Sequence, residues 1–465
     1  MYLEEWIRDR VERDNEFTAY IKKESMNEHP REMLRAYQLF KLRKTLIYAY
    51  ENSSFYRKSF DLKNFNPCQI TSLDDLKHVP LVQQNDIKES PYRFLCISQA
   101  DVARVFTLAT SGSTGAPKKV FFNERDINTI TDTMAAIIKT AFTCAGISDT
   151  GSLVYILMPG GTSMSQAQLI GRGVKKMGHI PLIGDIKAGI ESQITEIEST
   201  RPVMIMGSAF RIHRLTQEAR ESHNLREIGM QVIFITSEYL SEPMRRNLED
   251  FWGGEVYHHY GMTETGLGTA VECQFHDGFH FDETNFIFEV VNPETGEVVH
   301  DGEEGELVFT NLDREGMPLI RYLTGDIGRI ITEPCQCGAL SLQRIGKIKK
   351  RTKSIVTIGM GDRIYPSLFD NVIYTFPDVV DYQITLSGDD HGDAMMVEVE
   401  VIKEDKLLKD RIAQAVADIP LISQNIQNGY LISPEIKIMG KRSLVRKERA
   451  KRFIVDKRQG KPDEK

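Results

Sequence analysis

Apolar residues recur at helical spacing through residues 1 to about 60, with Leu34, Tyr37, Leu39 and Leu42 in the series, so the chain is expected to open with helix. Short, wholly apolar runs follow. VYILMP (154–159), PVMIMG (202–207) and QVIFIT (231–236) read as buried strands. Helix-like stretches separate them, such as the one around residues 190–198, and this alternation predicts an α/β layered core. After about Asn285 the rhythm changes. FIFEVVNPETGEVV holds an Asn-Pro-Glu-Thr-Gly turn between two strand-like runs, and GELVFTNL follows as a further strand, so a mostly antiparallel β subdomain is expected over about 270–350. Beyond Thr352, Val397, Val399 and Val401 alternate with Glu398 and Glu400, the pattern of a strand with one wet face. Residues 405–419 read as an amphipathic helix and PEIKIM as another strand. The predicted fold is an α/β large N-terminal domain over residues 1–352, including the β subdomain, followed by a small α+β C-terminal domain over residues 353–465.

The length of 465 residues supports that division, because one hydrophobic core does not grow so large. The formal net charge of -8 gives no reason to expect nucleic acid or an anionic membrane as a partner, although the stretch from Lys441 to Lys461 is locally basic. No apolar run reaches the length of a membrane span, and the opening MYLEEWIRDRVERDNEF lacks the apolar core of a secretory signal. A cytoplasmic location is expected by default. Six cysteines are too few for a disulfide framework, so their spacing is read first for metal binding.

Candidate chemistry begins at TLATSGSTGAPKKVFF (107–122). Thr110, Ser111, Gly112, Ser113, Thr114 and Gly115 form a hydroxyl-and-glycine run whose backbone N–H groups can nest an anion, with Lys118 or Lys119 as a cation for polyphosphate. Pro117 before Lys118 excludes a Walker loop. Composition alone allows a solvated Ser/Gly turn as readily. EVYHHYGMTETG offers Tyr260, Gly261, Met262, Thr263 and Glu264, that is, a ring for a base, a hydroxyl for phosphate and a carboxylate for Mg²⁺; taken alone it also reads as a helix N-terminus capped by Thr263 and Glu264. IRYLTGDIG brings Asp326, a carboxylate suited to a pair of ribose hydroxyls or to an Asx turn.

TSGSTGAPKK, YGMTE and RYLTGD occur in this order and resemble the signatures TSGTTGxPK, YGxTE and RYxTGD of the adenylate-forming superfamily, which includes acyl-CoA synthetases, peptide-synthetase adenylation domains and luciferases. The resemblance implies ATP and Mg²⁺, with Glu264 as the metal ligand, Thr263 as a phosphate contact and Asp326 on the ribose. RIGKIKKRTKSIVTIG resembles the hinge motif, with Arg351 in the nucleotide site and Lys353 where many members have Asp; the usual Gly is replaced by Lys350. In the family the small domain turns at this hinge. ITSEYLSEPMR, ECQFHDGFHFDE, PCQCG and DRIYPSLFDNVI resemble segments of phenylacetate-CoA ligases. This adds Ser237, Glu238 and Tyr239 to the nucleotide site. It also brings Cys273, His280, Cys335 and Cys337 together as a structural Cys₃His zinc site, with His276 as a rival nitrogen ligand. The acid pocket is expected to draw on residues 158–165 and on Ser208, Ala209 and Phe210.

The C-terminal segment VRKERAKRFIVDKR departs from the family pattern. The gapless position of the family lysine is Ala450, and a one-residue slip offers Arg449 or Lys451, of which Lys451 is taken as the catalytic candidate. The implied reaction activates an aryl or arylacetic acid with ATP and passes the acyl group to coenzyme A, releasing AMP. A carrier protein or another acceptor in place of coenzyme A, and a catalytically impaired nucleotide-binding homologue, remain as alternatives. A homodimer is the family's habit.

Overall fold

The N-terminal helical pattern resolves into helices Tyr2–Arg13, Asn15–Glu24, Pro30–Asn52 and Ser54–Leu62. The structure is a computed structural model that describes residues 1–24, 29–108, 117–389, 392–405, 407–444 and 454–458. The described residues fall into two compact units. One comprises residues up to 183 together with 257–347, the other 184–256 together with 348–458.

In the first unit, strands Arg104–Leu108 and Lys118–Phe122 pair antiparallel and flank the hydroxyl-glycine run. Residues 110–115 of that run lie outside the described residues. Helix Glu124–Cys144 follows, started by a capping box in which Asn123 accepts from the Asp126 amide and Asp126 accepts from the Asn123 amide. Its buried face of Ile127, Ile130, Met134, Ile137, Ile138 and Ala141 follows the helical repeat. Strands Leu153–Leu157 and Ile180–Ile183 run parallel, joined through helix Gln166–Lys176. An antiparallel ladder then links Glu255–Tyr260, Ala270–Val271, Phe279–Phe281, Arg344–Ile345 and Ile330–Ile331. Strands Phe286–Val291, Gly305–Asn311 and Tyr322–Gly328 make a second antiparallel set, with Phe309 opposite Tyr322. The Asn-Pro-Glu-Thr-Gly turn closes where the Gly296 amide donates to Asn292 O.

In the second unit, Met204–Ser208 and Val232–Thr236 run parallel, with helices Ile190–Thr200, Ala209–Ala219 and Glu242–Trp252 between and beside them. Its C-terminal part is a sheet in which Gly392–Val401 pairs antiparallel with Val379–Asp389, flanked by the parallel strands Glu435–Met439 and Ile454–Asp456. The alternation read from Val397 to Val401 holds for the apolar residues, which are all buried. Glu400 breaks it, being 1 % exposed. A buried carboxylate requires partners, and Glu400 accepts four hydrogen bonds from three residues. Arg214, on helix Ala209–Ala219, donates two bonds at 2.6 and 3.0 Å, and the amides of Arg442 and Leu444 donate at 2.8 and 3.0 Å. His213 Nε2, one residue before Arg214, lies 3.0 Å from Val379 O. These contacts tie the helix to the C-terminal sheet and fix the turn after Glu435–Met439.

Burial pushes the Glu400 carboxyl up, but Arg214 and the two amides outweigh it and hold the group below its ordinary value of 4.5. The pair therefore stabilises the fold above about pH 4.5 and loses that contribution as pH falls through the lowered folded value. Arg214→Met is expected to cost about 3 kcal/mol at pH 7, with a smaller deficit at pH 3.5. Urea unfolding at both pH values reads this directly, and an equal deficit at both would mean that Arg214 does not act through the charge of Glu400.

Candidate nucleotide and metal sites

Glu264 lies in the turn after strand Glu255–Tyr260, not at a helix N-terminus. The turn is closed by Thr265, whose hydroxyl accepts from the Met262 amide at 3.1 Å and donates to Met262 O at 2.8 Å. Gly261 permits this turn: a Cβ there would stand 2.0 Å from Leu267 O and 2.8 Å from the His259 ring. Thr263 contributes its carbonyl, which accepts from the Gly266 amide. Buried Arg314 holds the far side of the turn, donating to the carbonyls of Glu264 and Thr265. Burial lowers the Arg314 guanidinium to about 10.

The Glu264 carboxylate is 2 % exposed. Lys118, at the start of strand Lys118–Phe122, pairs with its Oε1, and the Tyr322 hydroxyl donates to the same oxygen at 3.0 Å. Lys118 also donates to the Tyr322 hydroxyl at 3.2 Å. Burial pushes the Glu264 carboxyl up, but the charge and hydrogen bond of Lys118 reverse this and hold it ionised. Asp326 stands four residues beyond Tyr322, within strand Tyr322–Gly328 rather than in a turn. It accepts from the Tyr260 hydroxyl at 3.0 Å. Three strands and the turn after Tyr260 thus carry Lys118, Tyr260, Gly261, Met262, Thr263, Glu264 and Asp326, all in the first unit.

The other candidates belong to the second unit. Ser237 follows strand Val232–Thr236 in a left-handed conformation, φ 74°, and its hydroxyl meets that of Thr236 at 3.0 Å. Glu238 accepts from the Phe210 amide at 2.9 Å, at the start of the helix that Ser208 caps. The Tyr239 hydroxyl donates to Asn371 at 3.4 Å, and burial raises its pKa. Arg351 begins a short turn in which Ser354 Oγ accepts from its amide, and Lys353 is exposed within that turn. Lys451, like Thr110, Ser111, Gly112, Ser113, Thr114 and Gly115, lies outside the described residues.

Sequence reasoning missed Tyr322, Arg314 and His259. Strand period does not reveal Tyr322, because the ladder of its strand shifts register between Leu323 and Ile327. His259 neighbours Gly261, and burial, then His258, lowers it to about 3, which keeps the imidazole neutral.

A separate cluster forms where Cys273 follows strand Ala270–Val271, His280 sits in Phe279–Phe281, and Cys335 and Cys337 lie between Ile330–Ile331 and Arg344–Ile345. Their ligand atoms lie within 4.8 Å of one another. Cys273 and Cys335 sulfurs are 3.7 Å apart, and Cys337 Sγ is 3.4 Å from His280 Nε2. The nitrogen of the cluster comes from His280; His276 faces Glu272 instead, at 3.2 Å. Hydrogen bonds from Cys273 and then His280 favour the Cys337 thiolate.

The AMP-binding enzyme family signature matches residues 67–311, and the signature of the AMP-binding enzyme C-terminal domain matches 361–458. The chain belongs to the AMP-binding enzyme family. Its relatives include the phenylacetate-coenzyme A ligase of Thermus thermophilus, 30% identical over 83% of this chain and 87% of that one. The phenylacetate-coenzyme A ligase of Pseudomonas putida is 30% identical over 91% and 94%. That of Aromatoleum evansii is 32% identical over 80% and 82%. Among solved structures, 2-hydroxyisobutyryl-CoA ligase in the postadenylation state shares the fold with a TM-score of 0.78 at 21% identity, over 92% of this chain and 90% of that one. ATP-bound MatB from Rhodopseudomonas palustris gives 0.53 at 18% identity, over 77% and 68%. Family and fold expected from the motifs are thereby borne out: a mixed α/β enzyme of the adenylate-forming superfamily, similar to phenylacetate-CoA ligases. Among the described residues no helix is long and apolar enough to cross a membrane.

The tight approach at Gly261 makes a sharp test of the turn. Gly261→Ala forces backbone movement against Leu267 O and is expected to destabilise by about 2–3 kcal/mol. Thermal unfolding of the variant beside the parent measures it, and an unchanged melting temperature would show that the turn has room.

Proposed function

We propose that the protein joins a carboxylic acid, aryl or arylacetic, to coenzyme A at the expense of ATP, through an acyl-adenylate. The observation that carries this reading is two buried acids in the first unit, Glu264 beside Lys118 and Asp326 beside Tyr260, in a chain that aligns with phenylacetate-coenzyme A ligases over most of its length. Glu264 supplies hard carboxylate oxygen, the ligand type Mg²⁺ takes. Bound there, the ion would neutralise charge on the phosphates. Asp326, held by Tyr260, is placed to accept from ribose hydroxyls. Lys118 serves the polyphosphate, and Thr263 a phosphate contact. Residues 110–115 would wrap the phosphates, Ser237, Glu238 and Tyr239 would line the base, Arg351 would act from the hinge, and Lys353 and Lys451 would act from a mobile C-terminal domain, residues 353–465.

An oxygen of the acid attacks the α-phosphorus and pyrophosphate leaves. The sulfur of coenzyme A, having lost its proton, then attacks the acyl carbon, and AMP leaves with the electron pair of the broken anhydride bond. Positioning and charge do most of the work in both steps. AMP release from ATP, measured across a panel of aryl and arylacetic acids with coenzyme A, is expected for at least one acid. Asp326→Asn should weaken ATP binding about tenfold to a hundredfold by loss of a charged hydrogen-bond acceptor. Absence of acid-dependent AMP or pyrophosphate across the panel would sink the reading, and AMP formed only with a holo carrier protein would replace coenzyme A as the acceptor.

The four-residue cluster fits structural zinc. Tetrahedral bonds of the usual lengths put sulfurs about 3.8 Å apart and sulfur and nitrogen about 3.5 Å apart, which matches the separations of 3.7 and 3.4 Å. The purified protein should carry about one zinc per chain, and Cys335→Ser should lose it and melt at lower temperature. A metal-free parent protein that melts identically with and without added zinc would remove this part of the proposal.

A further inference from the structure

Lys118, Glu264 and Tyr322 form a closed triangle. Their side chains come from a strand start, a turn and a strand that are 146 and 58 residues apart in sequence, measured from Glu264. A tyrosine hydroxyl has one hydrogen to give and can accept in return. Here it donates to Glu264 Oε1 at 3.0 Å and accepts from Lys118 Nζ at 3.2 Å. The ring is fully buried and packs at a tilt against Phe309, its cross-strand neighbour, with centroids 5.3 Å apart. The hydroxyl is therefore held in place by the sheet, whereas Lys118 carries its charge on a flexible stem.

A divalent cation that approaches Glu264 alone meets the Lys118 ammonium at the same oxygen, and in a site of low dielectric that repulsion is strong. A cation that arrives with a polyphosphate brings a substitute partner for the lysine. Glu264 and Lys118 can then exchange partners without either charge being left bare, which would be costly. During the exchange the tyrosine contact to Oε1 does not depend on the lysine.

We propose that Tyr322 is a positioning residue that keeps the Glu264 carboxylate oriented while Lys118 transfers to the nucleotide, so that the site takes a divalent cation together with a nucleotide polyphosphate and not before it. This inference rests on the adenylating function proposed above. It deepens that reading by assigning a role to the Tyr322 hydroxyl, which the reaction scheme leaves unused, and an order to the binding of cation and nucleotide.

Mn²⁺ serves as the probe, followed by electron paramagnetic resonance on the full chain with and without ATP, beside the Mg²⁺ dependence of acid-dependent pyrophosphate exchange. The parent protein is expected to bind Mn²⁺ only when ATP is present. In Tyr322→Phe the ring keeps its packing and the hydroxyl is lost. The Mn²⁺ midpoint at saturating ATP should rise about tenfold, the size of one lost charged hydrogen bond. The Mg²⁺ midpoint of exchange should rise in step, while the maximal rate returns at high metal. Lys118→Gln gives an independent arm: removal of the ammonium should allow Mn²⁺ to bind without ATP. An unchanged midpoint in Tyr322→Phe overturns the role of the hydroxyl. Tight binding of Mn²⁺ to the ATP-free parent, or strict ATP dependence in Lys118→Gln, overturns the partner exchange. A parent protein that gives no ATP-dependent Mn²⁺ signal overturns both this inference and the adenylating reading, whereas normal metal binding without pyrophosphate exchange for any acid overturns the latter alone.

Discussion

Glu264 is ionised and has almost no contact with water, so something must stand in for its hydration, and the first unit is arranged around that need. Lys118 supplies the charge, Tyr322 a hydrogen bond, and Arg314 the carbonyl clamps that hold the turn itself. A buried ion pair contributes little net stability, because the loss of hydration offsets most of the attraction, yet breaking one is expensive. Such a pair is weak as glue and strong as a constraint. It dictates that the strand Lys118–Phe122, the turn after Glu255–Tyr260 and the strand Tyr322–Gly328 meet at one point.

Much of this was legible in the sequence because the motifs are local. The period-two and helical patterns located the strands at 153–157, 204–208 and 232–236 to within a residue or two, since wholly apolar runs of that length suit buried parallel strands. The C-terminal helix expected over 405–419 is shorter, Leu408–Ala417, because it ends before Pro420, which opens the next helix. The acids Glu264 and Asp326 were legible as chemistry, but not their supports. Helix capping by Thr263 and Glu264, and an Asx turn at Asp326, were reasonable local readings. Both gave way to long-range bonds, from Tyr322 and from Tyr260, that no spacing rule encodes.

The cysteine–histidine cluster draws on the same distinction. Cys335 and Cys337 are neighbours in sequence, whereas Cys273 and His280 come from the opposite side of an antiparallel ladder. The register Arg344↔His280 brings the two halves together. His276 has the right chemistry but lies in the turn with a left-handed backbone, φ 50°, that aims its ring at Glu272. Sequence alone left the two histidines as rivals, because the choice depends on pairing register, which is set by which face of each strand is buried.

Two of the buried glutamates, Glu264 and Glu400, are neutralised by different means, and the difference bears on what each one does. Glu400 is bound by the two-pronged guanidinium of Arg214 and by two backbone amides, a set that has fixed geometry. Arginine suits that task because its fork is rigid and matches a carboxylate. Glu264 takes its charge partner from a lysine, a point charge on four rotatable carbons, with one hydroxyl and its own backbone amide beside it. A lysine can leave a carboxylate for a phosphate by rotating its stem, whereas backbone amides cannot leave without unfolding the turn that presents them. The choice of cation therefore separates a carboxylate that holds the structure from one that is able to change partners, and of the two only Glu264 has a partner that can move to a ligand.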